Sequence, residues 1–184
     1  IDTVVMDKTG TLTKGEPEVT DVVTDGMDDQ ELLALAAAVE RESEHPLAAA
    51  IVRHADDRGA PRRPATGFRS IAGHGAAATV DGRRVLVGNR RLMAQEHVDL
   101  GALAGHRDEL AATGRTAVLV AVDGRAVGVI ALADAARDTA AAAVAALREA
   151  GVRVVMLTGD NEATARRIAD QLGIDEVVAE DRKS

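Results

Sequence analysis

An aspartate directly follows the apolar run Val4-Val5-Met6, and the chain then reads Asp7-Lys8-Thr9-Gly10-Thr11-Leu12-Thr13. Far along, Val154-Val155-Met156-Leu157 leads into Thr158-Gly159-Asp160-Asn161. Two carboxylates thus each stand just beyond an apolar stretch, among hydroxyls and glycine. An aspartate carboxylate is ordinarily ionised at neutral pH. It needs no partner base to attack phosphorus and can form an aspartyl phosphate. Gly10 lets the backbone turn sharply, so that N–H groups face an anion. Thr9, Thr11 and Thr158 can donate hydroxyls to transferred oxygens, and Mg²⁺ between the carboxylates would offset the developing charge. A single aspartate at a strand end is as readily a turn or cap residue. The pair of motifs, each after an apolar run, points to phosphoryl transfer.

The elements that must position these residues follow from periodicity. Residues 1–6 read as a buried strand ending at Asp7, and 18–24 as another strand. Leu32, Leu35, Ala36 and Val39 share one face of a helix over 29–41, which Asp28 or Asp29 can cap. Pro46 suits the first position of a second helix running to about Arg58, with His45 at its cap. Pro61 and Pro64 mark a loop. Asp81-Gly82 and Asp123-Gly124 sit between apolar runs and predict two tight hairpins. Residues 90–96 and 102–112 read as helices. After Asp134 the pattern changes to helix 137–150, strand 152–157, helix 162–172 and a short strand at Val177-Val178. Helix alternating with apolar strand implies a parallel sheet. The expected fold is α/β, with a parallel-sheet domain built from residues 1–16 and 132–184. An α+β antiparallel-sheet domain, 17–131, is inserted into it, and Lys14-Gly15 and Leu132–Asp134 form the hinge strands. Active sites of open α/β sheets lie beyond the carboxyl ends of their strands, where both motifs fall.

Composition narrows the partners. The net charge of −8 argues against nucleic-acid binding. The absence of cysteine excludes disulfides and thiolate metal sites. Phe68 is the one aromatic residue, so the core must be aliphatic. No apolar run reaches the ~20 residues that span a bilayer. The chain opens inside a strand pattern and stops at Arg182-Lys183-Ser184, as a piece of a longer protein would.

Asp7–Thr13 resembles the phosphorylation signature of P-type ATPases, ion pumps of the haloacid dehalogenase superfamily. Ser43-Glu44-His45-Pro46-Leu47-Ala48 resembles the motif of their heavy-metal branch. Gly73-His74-Gly75 and Val87-Gly88-Asn89 resemble that branch's other nucleotide-binding elements. The resemblance covers essentially the whole chain. It implies a haloacid dehalogenase-like phosphorylation domain carrying an inserted nucleotide-binding domain, with ATP and Mg²⁺ as cofactors. Asp7 would be phosphorylated by ATP, and Lys8 and Thr9 would support the phosphate. Asp7 and the Thr9 carbonyl would reach Mg²⁺. Thr158 and Gly159 would bind the phosphoryl group, with Asp160 near nucleotide and hinge. Glu40 would contact the adenine edge and His45 would orient the nucleotide. Gly73 and Gly75 would let backbone approach it, and Gly88 and Asn89 would complete the pocket. Read singly, His45 and Asn89 are helix caps, Gly73 and Gly75 turn residues and Glu40 a solvated helix end; Met6 and Met156 read as core.

The resemblance further implies a soluble, monomeric cytoplasmic piece of an integral membrane protein. Its actuator and transmembrane domains lie outside this chain, so the transported metal is not bound here; a copper pump is favoured over zinc or cadmium. The family's later phosphate-pairing lysine and "GDGxND" stretch are absent, and Lys183 is not assigned the lysine's role. Steady turnover is therefore not expected of the chain alone. Thr9 stands where many phosphatases of the superfamily carry a second aspartate as acid/base, which implies a long-lived phosphoenzyme. The alternatives are a soluble phosphatase of the superfamily with a large cap domain, and a non-catalytic nucleotide-binding module.

Overall fold

β1 (Thr3–Asp7) lies parallel to β8 (Arg153–Thr158), and β8 parallel to β9 (Glu176–Ala179), giving a three-stranded sheet in the order β1-β8-β9. The structure, a computed structural model, describes residues 1–179. Met6 is paired with Met156, and Asp7 with Leu157. Helices α5 (Ala140–Glu149) and α6 (Glu162–Leu172) complete the βαβ pattern. Their apolar faces meet the strands in one aliphatic cluster that includes Leu12, Val144, Val154, Met156, Ala165 and Ile168, with Met6 packed against it. Asn161 caps α6 by accepting the Thr164 N–H, and Gly173 ends it in the left-handed conformation, φ +73°. Both methionines are core residues, as their place in apolar strands predicts.

The remaining elements belong to a second sheet. They are β2 (Thr13–Thr24), β3 (Ala65–Ile71), β4 (Gly75–Val80), β5 (Arg83–Gly88), β6 (Thr116–Val122) and β7 (Arg125–Ala136), in the order β2-β7-β6-β5-β4-β3. The neighbours from β3 through β7 are antiparallel. Both Asp-Gly pairs form the hairpins expected of them, with φ near +50° at Asp81 and Asp123 and left-handed glycines after them. Alternate residues of β5 enter different cores. Val85 and Val87 join α1 (Asp29–Glu40) and α2 (Pro46–Asp57) on one face, while Leu86 joins α3 (Arg90–Gln95) and α4 (Leu103–Ala112) on the other. Both faces are covered, so these strands read as apolar runs.

The chain forms two compact units. The first comprises Ile1–Glu16, Ala112–Arg115 and the chain from Asp134 on; the second comprises Pro17–Ala111 and Thr116–Ala133. β2 and β7 each run from one unit into the other.

Three local expectations need correction. β3 is a strand over residues for which no element was expected, and a register shift between Thr66 and Arg69 breaks its period. α1 is not one-sided: Leu32 to Val39 are all buried, since the helix packs on α2 as well as on β4 and β5. Four alanines at 34 and 36–38 keep that crowded helix narrow. α5 starts at Ala140 rather than 137, because the Arg137 N–H donates to the Leu12 carbonyl and lies outside the helix. Among the described residues, no helix is long and apolar enough to cross a membrane.

Candidate functional site

In the first unit the parallel pairing of β1 and β8 brings both acidic motifs to the same sheet edge. Asp7 ends β1, exposed, with extended φ/ψ of −70° and 138°. The backbone then makes a wide turn over Lys8–Leu12, in which Gly10 takes φ +79°. No other residue type adopts that value at so little cost. Thr9, Gly10 and Thr11 are exposed on this turn. Across the sheet, Thr158 is buried at the end of β8, and its Oγ1 accepts the Asp160 N–H at 3.1 Å. Its own proton remains available to a ligand oxygen. Gly159 carries no side chain to crowd that position, and a Cβ there would meet nothing.

Lys8 is engaged by carboxylates of this unit. Its side chain is buried, and Nζ lies 2.5 Å from Asp160 Oδ2 and 3.7 Å from Asp134 Oδ2. The ammonium thus joins the two motifs through carboxylates rather than projecting with the turn. Asp134 extends this anchoring. It accepts the Thr13 hydroxyl at 2.6 Å and the Gly15 N–H at 3.1 Å. Arg137 donates to the carbonyls of Gly10 at 2.7 Å and Thr13 at 3.1 Å. Asp134 and Arg137 were not among the sequence candidates for the site. These partners lie 119 to 127 residues away in sequence, so no local pattern announces them.

The donors at the Asp7 turn are hard oxygens: a carboxylate, the Thr9 carbonyl and hydroxyls. That set suits Mg²⁺, which takes one or two protein ligands and completes its shell with water and phosphate oxygens. With Lys8 drawn to Asp134 and Asp160, Asp7 has no ion pair among the described residues, which leaves its charge for a cation. The residues therefore fit the ion.

In the second unit, Glu40, His45, Gly73, Gly75, Gly88 and Asn89 all line one cavity of about 470 Å³. Sequence motifs up to 49 residues apart are gathered there by α1, α2, β4 and β5. Glu40 ends α1 and is 8% exposed. Burial alone pushes its carboxyl pKa up to about 7. His45 caps α2, its Nδ1 accepting the Leu47 N–H at 3.1 Å. Asn89 caps α3 by accepting the Leu92 N–H, and its Nδ2 donates to the Gly73 carbonyl at 2.9 Å. Gly73 turns with φ +71°. Gly75 and Gly88 are opposite partners in β4 and β5. The close approach they allow is between these two strands, since a Cβ on either would strike the other's backbone. His74, absent from the sequence candidates, also lines the cavity. A polar residue between two glycines that each bend the chain was the available signal. Among the described residues, no lysine or arginine lines this cavity.

A family model of haloacid dehalogenase-like hydrolases matches residues 1–183. The chain is 45% identical over 181 residues to a copper-exporting P-type ATPase of Bacillus subtilis, matching 98% of this chain and 23% of that protein. It is 49% identical over 182 residues to a probable copper-exporting P-type ATPase V of Mycobacterium tuberculosis, covering 98% and 24%. The chain thus spans about a quarter of the length of these relatives. Among solved structures, a zinc-transporting PIB-type ATPase in its E2.Pi state superposes with a TM-score of 0.89 at 42% identity, covering 98% of this chain and 29% of that one. The N-domain of HMA6, a copper-transporting P-type ATPase, matches with a TM-score of 0.53 at 32% identity, covering 64% and 98%.

Proposed function

The chain belongs to the haloacid dehalogenase-like hydrolases, and within that family we propose that it is the ATP-binding and phosphorylation part of a heavy-metal P-type ATPase. The first unit serves as the phosphorylation domain and the second as the nucleotide-binding domain. The observation that carries this reading is the register of β1 on β8, which sets Asp7 beside the strand leading to Thr158-Gly159-Asp160. A carboxylate nucleophile and a hydroxyl and amide pair able to hold phosphoryl oxygens then share one sheet edge.

In this account the cavity of the second unit takes the adenosine end of ATP. Glu40 meets the adenine edge, His45 orients the nucleotide, and Gly73, Gly75, Gly88 and Asn89 shape the pocket. An Asp7 oxygen attacks the γ-phosphorus; the bond from that phosphorus to the bridging oxygen breaks, and ADP leaves with the electron pair. The product is an acyl phosphate on Asp7. Thr158 and Gly159 steady the transferred oxygens. Lys8 acts by holding Asp160 in place. Asp7 and the Thr9 carbonyl would hold Mg²⁺, which would supply charge neutralisation of the phosphates. Thr9 gives water no aspartate base, so the acyl phosphate persists until another domain of the longer protein acts on it.

The transported ion we infer is copper, on the strength of the relatives' names. The zinc transporter is 42% identical over the same region, within a few per cent of the copper exporters. Metal choice is therefore written in parts of the longer protein outside this chain, its membrane-spanning part above all. Titration of ¹⁵N-labelled chain with a non-hydrolysable ATP analogue tests the reading. Amide shifts centred on His45, Gly73 and Asn89 are expected, and shifts confined to residues 1–14 would contradict it.

A further inference from the structure

His45 and His74 line the same cavity, and their Nδ1 atoms make opposite kinds of hydrogen bond to the backbone. His45 Nδ1 accepts the Leu47 N–H, so its ring proton sits on Nε2, a donor. His74 Nδ1 lies 2.8 Å from the Ala72 carbonyl oxygen. A carbonyl can only accept, so Nδ1 carries a proton, and in the neutral imidazole Nε2 then keeps a lone pair. The His74 peptide is itself pinned: its N–H donates to the Ile71 carbonyl and its C=O accepts the Asn89 N–H, both at 2.9 Å. Glycine at 88 is what allows that carbonyl to lie so close to β5, because a Cβ there would strike it. The imidazole is thus an acceptor on a hydrogen-bonded turn, half-buried, in a cavity whose other titratable lining groups among the described residues are Glu40 and His45.

From this polarity we propose that His74 is a further ligand-contacting residue, whose Nε2 accepts a hydrogen bond from an N–H or O–H group on the nucleoside part of the bound nucleotide. The inference rests on the reading that the cavity holds a nucleotide. With no lysine or arginine in the lining, the cavity recognises the neutral base and sugar, and the two histidines divide that task as donor and acceptor. A nucleoside carries both kinds of group: its base offers ring-nitrogen acceptors and an amino donor, and its ribose offers hydroxyls.

The test uses the chain with ¹⁵N-labelled histidine, read by long-range ¹H–¹⁵N correlation in slightly alkaline buffer with the non-hydrolysable ATP analogue. Without nucleotide, the expected spectrum shows Nε2 unprotonated in His74 and protonated in His45. With nucleotide, the His74 Nε2 signal moves towards the hydrogen-bonded position while the ring of His54, outside the cavity, stays still. His74→Ala weakens binding by about five- to tenfold, as loss of one hydrogen bond implies. His74→Gln, whose carbonyl can accept, restores part of it. The inosine analogue, which lacks the amino group, and the 2′-deoxy analogue identify the donor: the one that leaves the His74 signal unmoved has lost it. The inference is overturned if cavity amides shift and the His74 ring does not, or if His74→Ala binds as tightly as wild type. If the Gly73 and Asn89 amides do not respond to any nucleotide, the nucleotide reading itself falls, and this inference falls with it.

Discussion

Gly75 and Gly88 face one another across β4 and β5, and a Cβ added to either would collide with main-chain atoms on the opposite side: the Val87 carbonyl for Gly75, the His74 carbonyl for Gly88. Neither obstacle is the end of a flexible side chain, so neither can swing away. The two glycines therefore fix the floor of the cavity by letting its strands approach.

Gly88→Ala should cost about 1–3 kcal/mol by overpacking and should weaken nucleotide binding with it. Gly82→Ala serves as the control. A Cβ there meets nothing, so only the strain of φ +74° is paid, about 1–2 kcal/mol, and binding survives. Urea denaturation together with nucleotide titration of both variants separates the two effects.

Glu40 gives the apo protein a pH dependence of known sign. Its folded pKa of about 7 lies above the ordinary carboxyl value of 4.5 because burial disfavours the charged form. Between those values the folded state binds more protons than the unfolded state, so stability falls as pH rises. The neutral carboxyl's contribution is complete below about 4.5 and lost as pH passes through about 7. The full change is roughly 3 kcal/mol. Glu40→Gln should remove this slope and be the more stable protein in mildly alkaline buffer. Parallel urea melts across that range would refute the assignment if wild type and variant kept the same slope.

Much of this was legible in the chain. The Asp7 and Asp160 motifs, both Asp-Gly hairpins and the caps at Asp28, His45 and Asn89 are signalled within a few residues of themselves, and short-range chemistry decides them. What was hidden depends on distant partners. Lys8 reads as a phosphate contact beside Asp7, yet Asp134 and Asp160 capture it. Arg137 reads as the first turn of α5, yet it is held at Gly10 and Thr13. β3 was lost because a bulge erases the period-2 pattern by which strands are recognised.

Lys8 should couple more strongly to Asp160 than to Asp134, since its ammonium lies 2.5 Å from the first and 3.7 Å from the second. Lys8→Met alone should destabilise by about 1–3 kcal/mol, the cost of stranding partly buried carboxylates. A double-mutant cycle with Asp160→Asn should return a coupling of ~1–2 kcal/mol, and one with Asp134→Asn less than that. Equal or reversed couplings would mean that Lys8 is held in some other way.

With Thr9 in place of a second aspartate, the chain should behave poorly as a general phosphatase. Hydrolysis of p-nitrophenyl phosphate with Mg²⁺ by wild type should stay near that of Asp7→Asn. Brisk Mg²⁺-dependent turnover that vanishes in Asp7→Asn would favour a soluble phosphatase over a pump component.

The central claim is that Asp7 accepts the γ-phosphoryl group of ATP. Its most direct test is acid-quench labelling with [γ-³²P]ATP and Mg²⁺, on a protein of the relatives' full length that carries this chain. The account predicts a hydroxylamine-labile label that maps by mass spectrometry to Asp7 and disappears in Asp7→Asn. A label of undiminished yield in Asp7→Asn, or one mapped to any other residue, would contradict it.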